Sequence, residues 1–129
     1  MINEKKNNNI KKILLAAGES KRFGDKNKLS EIINGKPIIN HILDTLFEIF
    51  DPSELIVIVG HEHKIIKDLI FNKGAKILEN IDYRKGIGTS IALGVKKLNI
   101  DIDGVMIIPA DMPYINSTDL VNLEKKFIE

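Results

Sequence analysis

The densest chemistry in this sequence lies at 18–28, which reads Gly18-Glu19-Ser20-Lys21-Arg22-Phe23-Gly24-Asp25-Lys26-Asn27-Lys28. Glycine lets backbone N–H groups come close to an anion, serine adds a hydroxyl donor, and Arg22 with Lys21, Lys26 and Lys28 brings enough charge to neutralise a polyphosphate. The placement of Gly18 and Gly24 satisfies neither Gly-x-x-x-x-Gly-Lys-Ser/Thr nor Gly-x-Gly-x-x-Gly. On residue types alone, a polar surface loop is therefore the alternative reading. His61-Glu62-His63 also carries ligand-type side chains, but its spacing matches no zinc pattern and it reads as a turn between strand and helix. Asp101 and Asp103 read as a hydrophilic loop.

A phosphate-binding loop needs a rigid frame on both sides. Immediately before it stands the apolar run Ile13-Leu14-Leu15-Ala16-Ala17, and similar runs without polar alternation recur at 55–59, 75–78 and 105–108. Uninterrupted apolar runs of this length are the pattern of strands covered on both faces of a parallel sheet. Between them lie stripes of helical period: Ile38, Ile39, Ile42, Leu43, Leu46, Phe47 and Phe50; Ile65, Ile66, Leu69 and Ile70; Ile91, Ala92, Val95 and Leu98; and Leu120, Leu123 and Phe127. Thr89 and Ser90 stand where a cap for the third helix is expected, and Asn116 and Ser117 where one is expected for the fourth. The order β-α-β-α-β-α-β-α predicts an α/β fold: a Rossmann-like, doubly wound, mainly parallel sheet in three αβα layers, with ligands at the carboxyl ends of the strands.

Bulk properties narrow the function classes. A chain of 129 residues with 43% hydrophobic and 29% charged residues has the balance of one soluble domain. The 19 basic and 18 acidic residues are scattered and leave a formal charge of +1, which is not the basic stripe of a nucleic-acid binder. The absence of cysteine removes disulfides, thiolate metal sites and thiol nucleophiles together. No apolar run approaches the ~18 residues of a membrane span, and the first nine residues are too polar for a signal peptide. No nucleic-acid or membrane partner is expected, and the cytoplasm is the expected compartment. Residues 1–11 read as a flexible N-terminal tail and 12–129 as the domain.

The loop and its frame resemble a known family. Leu15-Ala16-Ala17-Gly18, Ser20, Arg22, Gly24 and Lys28 are similar to the signature of nucleotidyltransferases that build molybdenum cofactor dinucleotides, in particular the cytidylyltransferase branch. The resemblance continues through Gly35-Lys36-Pro37-Ile38-Ile39 and His41, through Gly86-Ile87-Gly88-Thr89-Ser90-Ile91 with Gly94, and through Ala110-Asp111-Met112-Pro113. Ala110 stands where such sequences usually have glycine, and Ile87 to Ser90 depart from their usual methionine and serines. Relatives of this kind continue past the position of Glu129, so the domain is expected to be truncated at its C-terminal end and to bind nucleotide while turning over little alone.

The resemblance implies transfer of CMP from CTP to the terminal phosphate of molybdopterin, with release of pyrophosphate. In such transfers most of the work is positioning and charge neutralisation, and no covalent nucleophile is needed. Lys28 and Arg22 would meet the β- and γ-phosphates, Asp111 would hold Mg2+, and Leu15, Ala16, Ala17, Gly18, Ser20, Arg22, Lys28, Gly88 and Ser90 would line the nucleotide site. A molybdoenzyme client is a further implied partner. Ala17 favours CTP over GTP, since GTP-using relatives more often carry a second glycine there. A guanylyltransferase, a sugar-phosphate or isoprenoid-precursor nucleotidyltransferase, and a non-catalytic nucleotide-binding domain are the competing readings. The alternative readings of these residues are solvated surface charges for Lys28 and Arg22 and a turn residue for Asp111.

Overall fold

A computed structural model describes residues 9–18, 28–98, 101–111 and 116–128. Its organising strand is β1 (Ile10–Ala16), whose Ile13 and Leu14 are wholly buried. Ile13 and Leu15 face one side of the sheet and Leu14 and Ala16 the other, so an unbroken apolar run satisfies both faces. The strand is hydrogen-bonded along both edges. It runs parallel to β4 (Leu55–Val59), pairing Ile13 with Ile56 and Leu15 with Ile58, and parallel to β6 (Gly104–Pro109), pairing Ile13 with Ile107 and Leu15 with Pro109. With β5 (Lys76–Glu79) beyond β4, the sheet has four strands in the order β5-β4-β1-β6.

Helices α1 (Ile38–Ile49), α2 (His63–Ile70) and α4 (Ser117–Ile128) cover the Leu14 face, and α3 (Ile87–Lys96) covers the Ile13 face. The expected three-layer, doubly wound α/β fold is the one observed. The chain steps from β1 to β4 to β5 in one direction and then crosses to β6 on the far side of β1. The order therefore reverses at β1, and the carboxyl ends of β1 and β6 border the crevice where such sheets take ligands.

The structure corrects several details. The expected tail over 1–11 gives up Ile10 and Lys11 to β1, whose pairing with β6 begins at Ile10, while residues 1–8 lie outside the described part. Helix α3 turns a different face to the sheet from the stripe of Ala92 and Val95, both of which are exposed. Its buried positions are Ser90 and Gly94, because a side chain at Gly94 would lie 2.8 Å from Ile13 Cδ1 and the helix comes that close only through glycine. Thr89 and Ser90 lie inside its first turn and do not cap it; Gly86, with φ 119°, is the cap residue. Asn116 does cap α4, its Oδ1 accepting from the Thr118 N–H at 2.7 Å. In α4, Leu120 of the expected stripe is buried, but Leu123 and Phe127 are 56% and 60% exposed, although the Phe127 ring lies over Gly104.

The α4 face is set by Lys12. This side chain is wholly buried on the Leu14 side of β1, with Nζ 2.6 Å from Glu54 Oε1, 2.6 Å from Glu124 Oε1 and 2.9 Å from the Ile10 carbonyl oxygen. The ammonium also lies 4.0 Å from the centroid of the Phe50 ring. Leu120 and Glu124, four residues apart on one helix face, therefore turn together toward the sheet. A short hairpin, β2 (Ile32–Ile33) with β3 (Lys36–Pro37), turns at Asn34 and Gly35, both at positive φ. Asn-Gly is the pair that such a two-residue turn favours, and His41 Nε2 fastens the hairpin to α1 by hydrogen bonding the Ile33 carbonyl.

Two outcomes follow from this packing. Lys12→Met keeps the aliphatic stem but leaves Glu54 and Glu124 facing each other without a counter-ion. Urea denaturation should show a loss of about 2–3 kcal/mol, less than for a fully buried pair because both carboxylates are partly exposed; an unchanged midpoint would rule out the ion network as a stabiliser. At Gly60, just past β4, an added Cβ would meet Tyr83 Cβ at 2.8 Å and Ala17 Cβ at 2.9 Å. Gly60→Ala should cost about 1–3 kcal/mol by overpacking, and wild-type stability in the same assay would show that the contact relaxes freely.

Candidate functional site

The end of β1 is held in place by backbone. The Ala110 N–H donates to the Leu15 carbonyl at 3.0 Å on one side, and the His61 N–H donates to the Ala17 carbonyl at 3.1 Å on the other. These bonds carry the sheet pairing one step past the strands, so Ala17, Gly60 and Ala110 leave the sheet together. Ala17 and Ala110 are buried, whereas Gly18 is exposed, with open space where its side chain would stand. Backbone at Gly18 is thus accessible to a ligand, as an anion-binding loop requires.

Beyond these ends opens a cleft of about 190 Å3. Leu15, Ala16, Ala17 and Gly18 form its β1 wall, Pro109 and Asp111 its β6 wall, Tyr83 lines it from the β5-to-α3 connection, and Ile87 and Ser90 line it from the first turn of α3. Leu29 closes another side, being buried within the short helical turn Lys28–Ser30 that packs on α1 and α2. The structure therefore brings together Leu15, Ala16, Ala17, Gly18, Ser90 and Asp111 from three separate stretches of sequence. Lys28 starts the turn that carries Leu29 and is half-buried there, beside the cleft but not on its lining. Gly88, the second residue of α3, is exposed and also off the lining. Ser20 and Arg22 lie outside the described residues, as do Met112 and Pro113.

Asp111 is exposed at the cleft wall and is its only acidic lining residue among those described. Its carboxylate is a hard oxygen donor open to solvent and fits a hydrated divalent cation of the magnesium or manganese kind. His61, Glu62 and His63 do not assemble a second metal site, and no cluster of three ligand-type side chains occurs among the described residues. Glu62 takes a left-handed turn at φ 51°, His61 lies 3.4 Å from the Tyr83 hydroxyl, and His63 lies 3.6 Å from Glu79. The Lys67 ammonium, hydrogen-bonded to Glu79 at 2.8 Å, holds that carboxyl below its usual range. Asp103 likewise has a structural part, its Oδ2 accepting the Asn9 N–H at 2.7 Å ahead of β1.

Sequence reasoning missed Leu29, Tyr83 and Pro109 as lining residues, and above all Asn80. Asn80 is 6% exposed and follows β5 directly. Its side-chain Nδ2 donates to Thr89 Oγ1 at 2.9 Å and Ser90 Oγ at 2.8 Å, its Oδ1 accepts from the Asp82 N–H at 3.0 Å, and its own N–H donates to the Val59 carbonyl at 2.7 Å. The available signal was an amide side chain at the carboxyl end of a strand, which a search for charged and hydroxyl residues passes over. No described helix is long and apolar enough to cross a membrane.

Comparison with known proteins bears on the fold and the family. The bifunctional protein GlmU of Thermosipho africanus is 31% identical over 121 residues, covering 93% of this chain and 26% of that protein. The chain spans about a quarter of the length of the curated relatives it matches. Among solved structures, a CMP:2-keto-3-deoxy-manno-octonic acid synthetase complexed with CTP superposes with a TM-score of 0.76 at 18% identity, over 92% of this chain and 47% of the other. A Mycobacterium tuberculosis protein in complex with manganese does so with a TM-score of 0.75 at 16% identity, over 91% and 58%. At such identities these structures speak for the fold alone. The family model described as the MobA-like NTP transferase domain matches residues 12–128, from the buried Lys12 to the end of α4, and the chain belongs to that family of nucleotidyltransferases.

Proposed function

We propose that this domain binds CTP in the cleft at the ends of β1 and β6 and transfers CMP to a phosphate-bearing acceptor, for which the terminal phosphate of molybdopterin is the specific reading. The observation that carries the proposal is the meeting, in one crevice at the switch point, of an open glycine backbone at Gly18, the hydroxyl of Ser90 and the carboxylate of Asp111. An oxygen of the acceptor phosphate attacks the α-phosphorus of CTP, the bond from that phosphorus to the bridging oxygen of the β-phosphate breaks, and pyrophosphate leaves with the electron pair. Two anions must approach, so the protein's task is to hold them in line and offset their charge.

Gly18 and Ser20 would supply close donors to the phosphates, and Arg22 and Lys28 the cations that meet the leaving pyrophosphate. Leu29, buried beneath α1 and α2, would anchor Lys28 at the cleft edge. Asp111 would hold a divalent cation, expected to be Mg2+, which when bound neutralises phosphate charge. CTP is preferred to GTP because Ala17, 3% exposed and packed against Gly60, keeps a methyl group where a glycine would leave room for a purine. The CTP-bound neighbour supports this base choice at the level of fold. Its name couples CMP to an acid sugar, which favours a sugar-acid acceptor as the second reading.

Calorimetric titration of the four nucleoside triphosphates tests base choice, with CTP expected to bind tightest; a GTP preference would move the chain to the guanylyl branch. Lys28→Ala should weaken CTP binding about tenfold or more through loss of a charge-assisted contact, with thermal stability kept, and an unchanged affinity would remove Lys28 from the site. Asp111→Asn retains shape but not charge. It should lower pyrophosphate release by about 10²–10³-fold and abolish the gain in CTP affinity on adding Mg2+. Wild-type magnesium dependence in that variant would leave Asp111 a turn residue.

A further inference from the structure

The hydrogen bonds of Asn80 have a fixed direction. The Asp82 N–H can only donate, so the amide oxygen Oδ1 of Asn80 must face it, at 3.0 Å. The amide nitrogen then faces the two hydroxyls, and an –NH2 group can only donate, so both Thr89 Oγ1 and Ser90 Oγ act as acceptors toward it. Thr89 passes its own proton back to the Gly86 carbonyl, 2.7 Å away, which closes the first turn of α3. Ser90 has no such outlet. Among the described residues its hydroxyl accepts from Asn80 and donates to nothing, although the side chain is 3% exposed and lines the cleft. A hydroxyl held this way keeps a proton for whatever occupies the cleft.

We propose that Asn80 is a positioning residue that commits the Ser90 hydroxyl to hydrogen-bond donation, so that Ser90 recognises an acceptor atom on the nucleobase. The inference rests on the nucleotide reading of the cleft. The apolar neighbours on this side, Leu15, Ala17, Tyr83 and Ile87, suit a flat, uncharged base rather than a phosphate, and cytosine offers the carbonyl O2 and the ring N3 as acceptors. Asn80 also joins the end of β4, through the Val59 carbonyl, to the start of α3, so the donor is set at a fixed distance from the sheet edge.

Asn80→Asp separates positioning from simple support. A carboxylate still accepts from the Asp82 N–H and accepts in turn from the Ser90 hydroxyl, while Thr89 keeps its single proton on the Gly86 carbonyl, so most local bonds survive but the Ser90 proton is now consumed inside the protein. The expected result is a melting temperature close to wild type with CTP affinity lowered about tenfold, the effect of one lost donor to a buried acceptor. Ser90→Ala should give the same loss, and the double variant no further loss. Affinity for inorganic tripolyphosphate, which lacks a base, should stay level in all three.

Equal CTP affinity in wild type and Asn80→Asp overturns the proposal. So does a parallel loss for tripolyphosphate, which would assign the effect to the added negative charge. If Asn80→Asp fails to fold, Ser90→Ala decides alone, and unchanged CTP affinity there overturns the proposal equally. Failure of the wild-type chain to bind any nucleoside triphosphate would instead overturn the nucleotide reading itself, and this inference with it.

Discussion

The structure depends on β1 being buried on both faces while paired along both edges. A central strand in that position cannot slide: a one-residue shift would exchange Ile13 and Leu15 with Leu14 and Ala16 between two differently shaped layers. Its hydrogen bonds to β4 and β6 also set how far each neighbour extends, so the chain leaves the sheet at Ala17 within bonding distance of Gly60 and Ala110. The functional cleft follows from where those strands stop. At the opposite end of the same strand, Lys12 ties Glu54 and Glu124 together, which aligns α4 on the sheet without adding to the cleft.

Close approach between layers is the second requirement. Gly94 lets α3 lie against Ile13, and Gly60 lets the β4 turn lie against Ala17 and Tyr83. Each contact replaces side-chain volume by backbone proximity, at a cost in chain entropy offset by tight packing. The consequence for function is geometric: the start of α3 is brought to the β1 end, so that Ser90 and Ile87 share a wall with Ala17 and Gly18. Asn80 then specifies the polarity of that wall, because a buried amide with one carbonyl and one –NH2 group leaves its neighbours no choice of role.

Membership of a nucleotidyltransferase family and the presence of a cleft at the strand switch point are independent observations on one domain. The family model begins at Lys12 and runs through α4, and the crevice lies where the strand order reverses. Among the described residues the cleft is lined mainly by apolar groups, with the Ser90 hydroxyl and the Asp111 carboxylate, which suits the placement of charge proposed for it.

The sequence alone determined the α/β alternation, because strands buried on both faces carry few polar residues and amphipathic helices must repeat every three to four. It also determined which loop follows β1 and which acid follows β6, since those are matters of chain order. Tertiary structure decided the rest. Ile91 and Leu98 of the expected stripe do pack on the sheet, but whether Ala92 and Val95 or Ser90 and Gly94 join them depends on how near the helix can come, and hydrophobic periodicity counts apolar area without measuring distance. Likewise Leu123 and Phe127 are more exposed than Leu120 and Glu124, because α4 turns Glu124 toward the buried ammonium of Lys12. The Asn34-Gly35 turn was legible and went unread, being only a two-residue signal between longer ones. Asn80 offered only its place at the end of a strand: its meaning lies in bonds to residues nine and ten positions away, brought within reach only once β5 and α3 have packed.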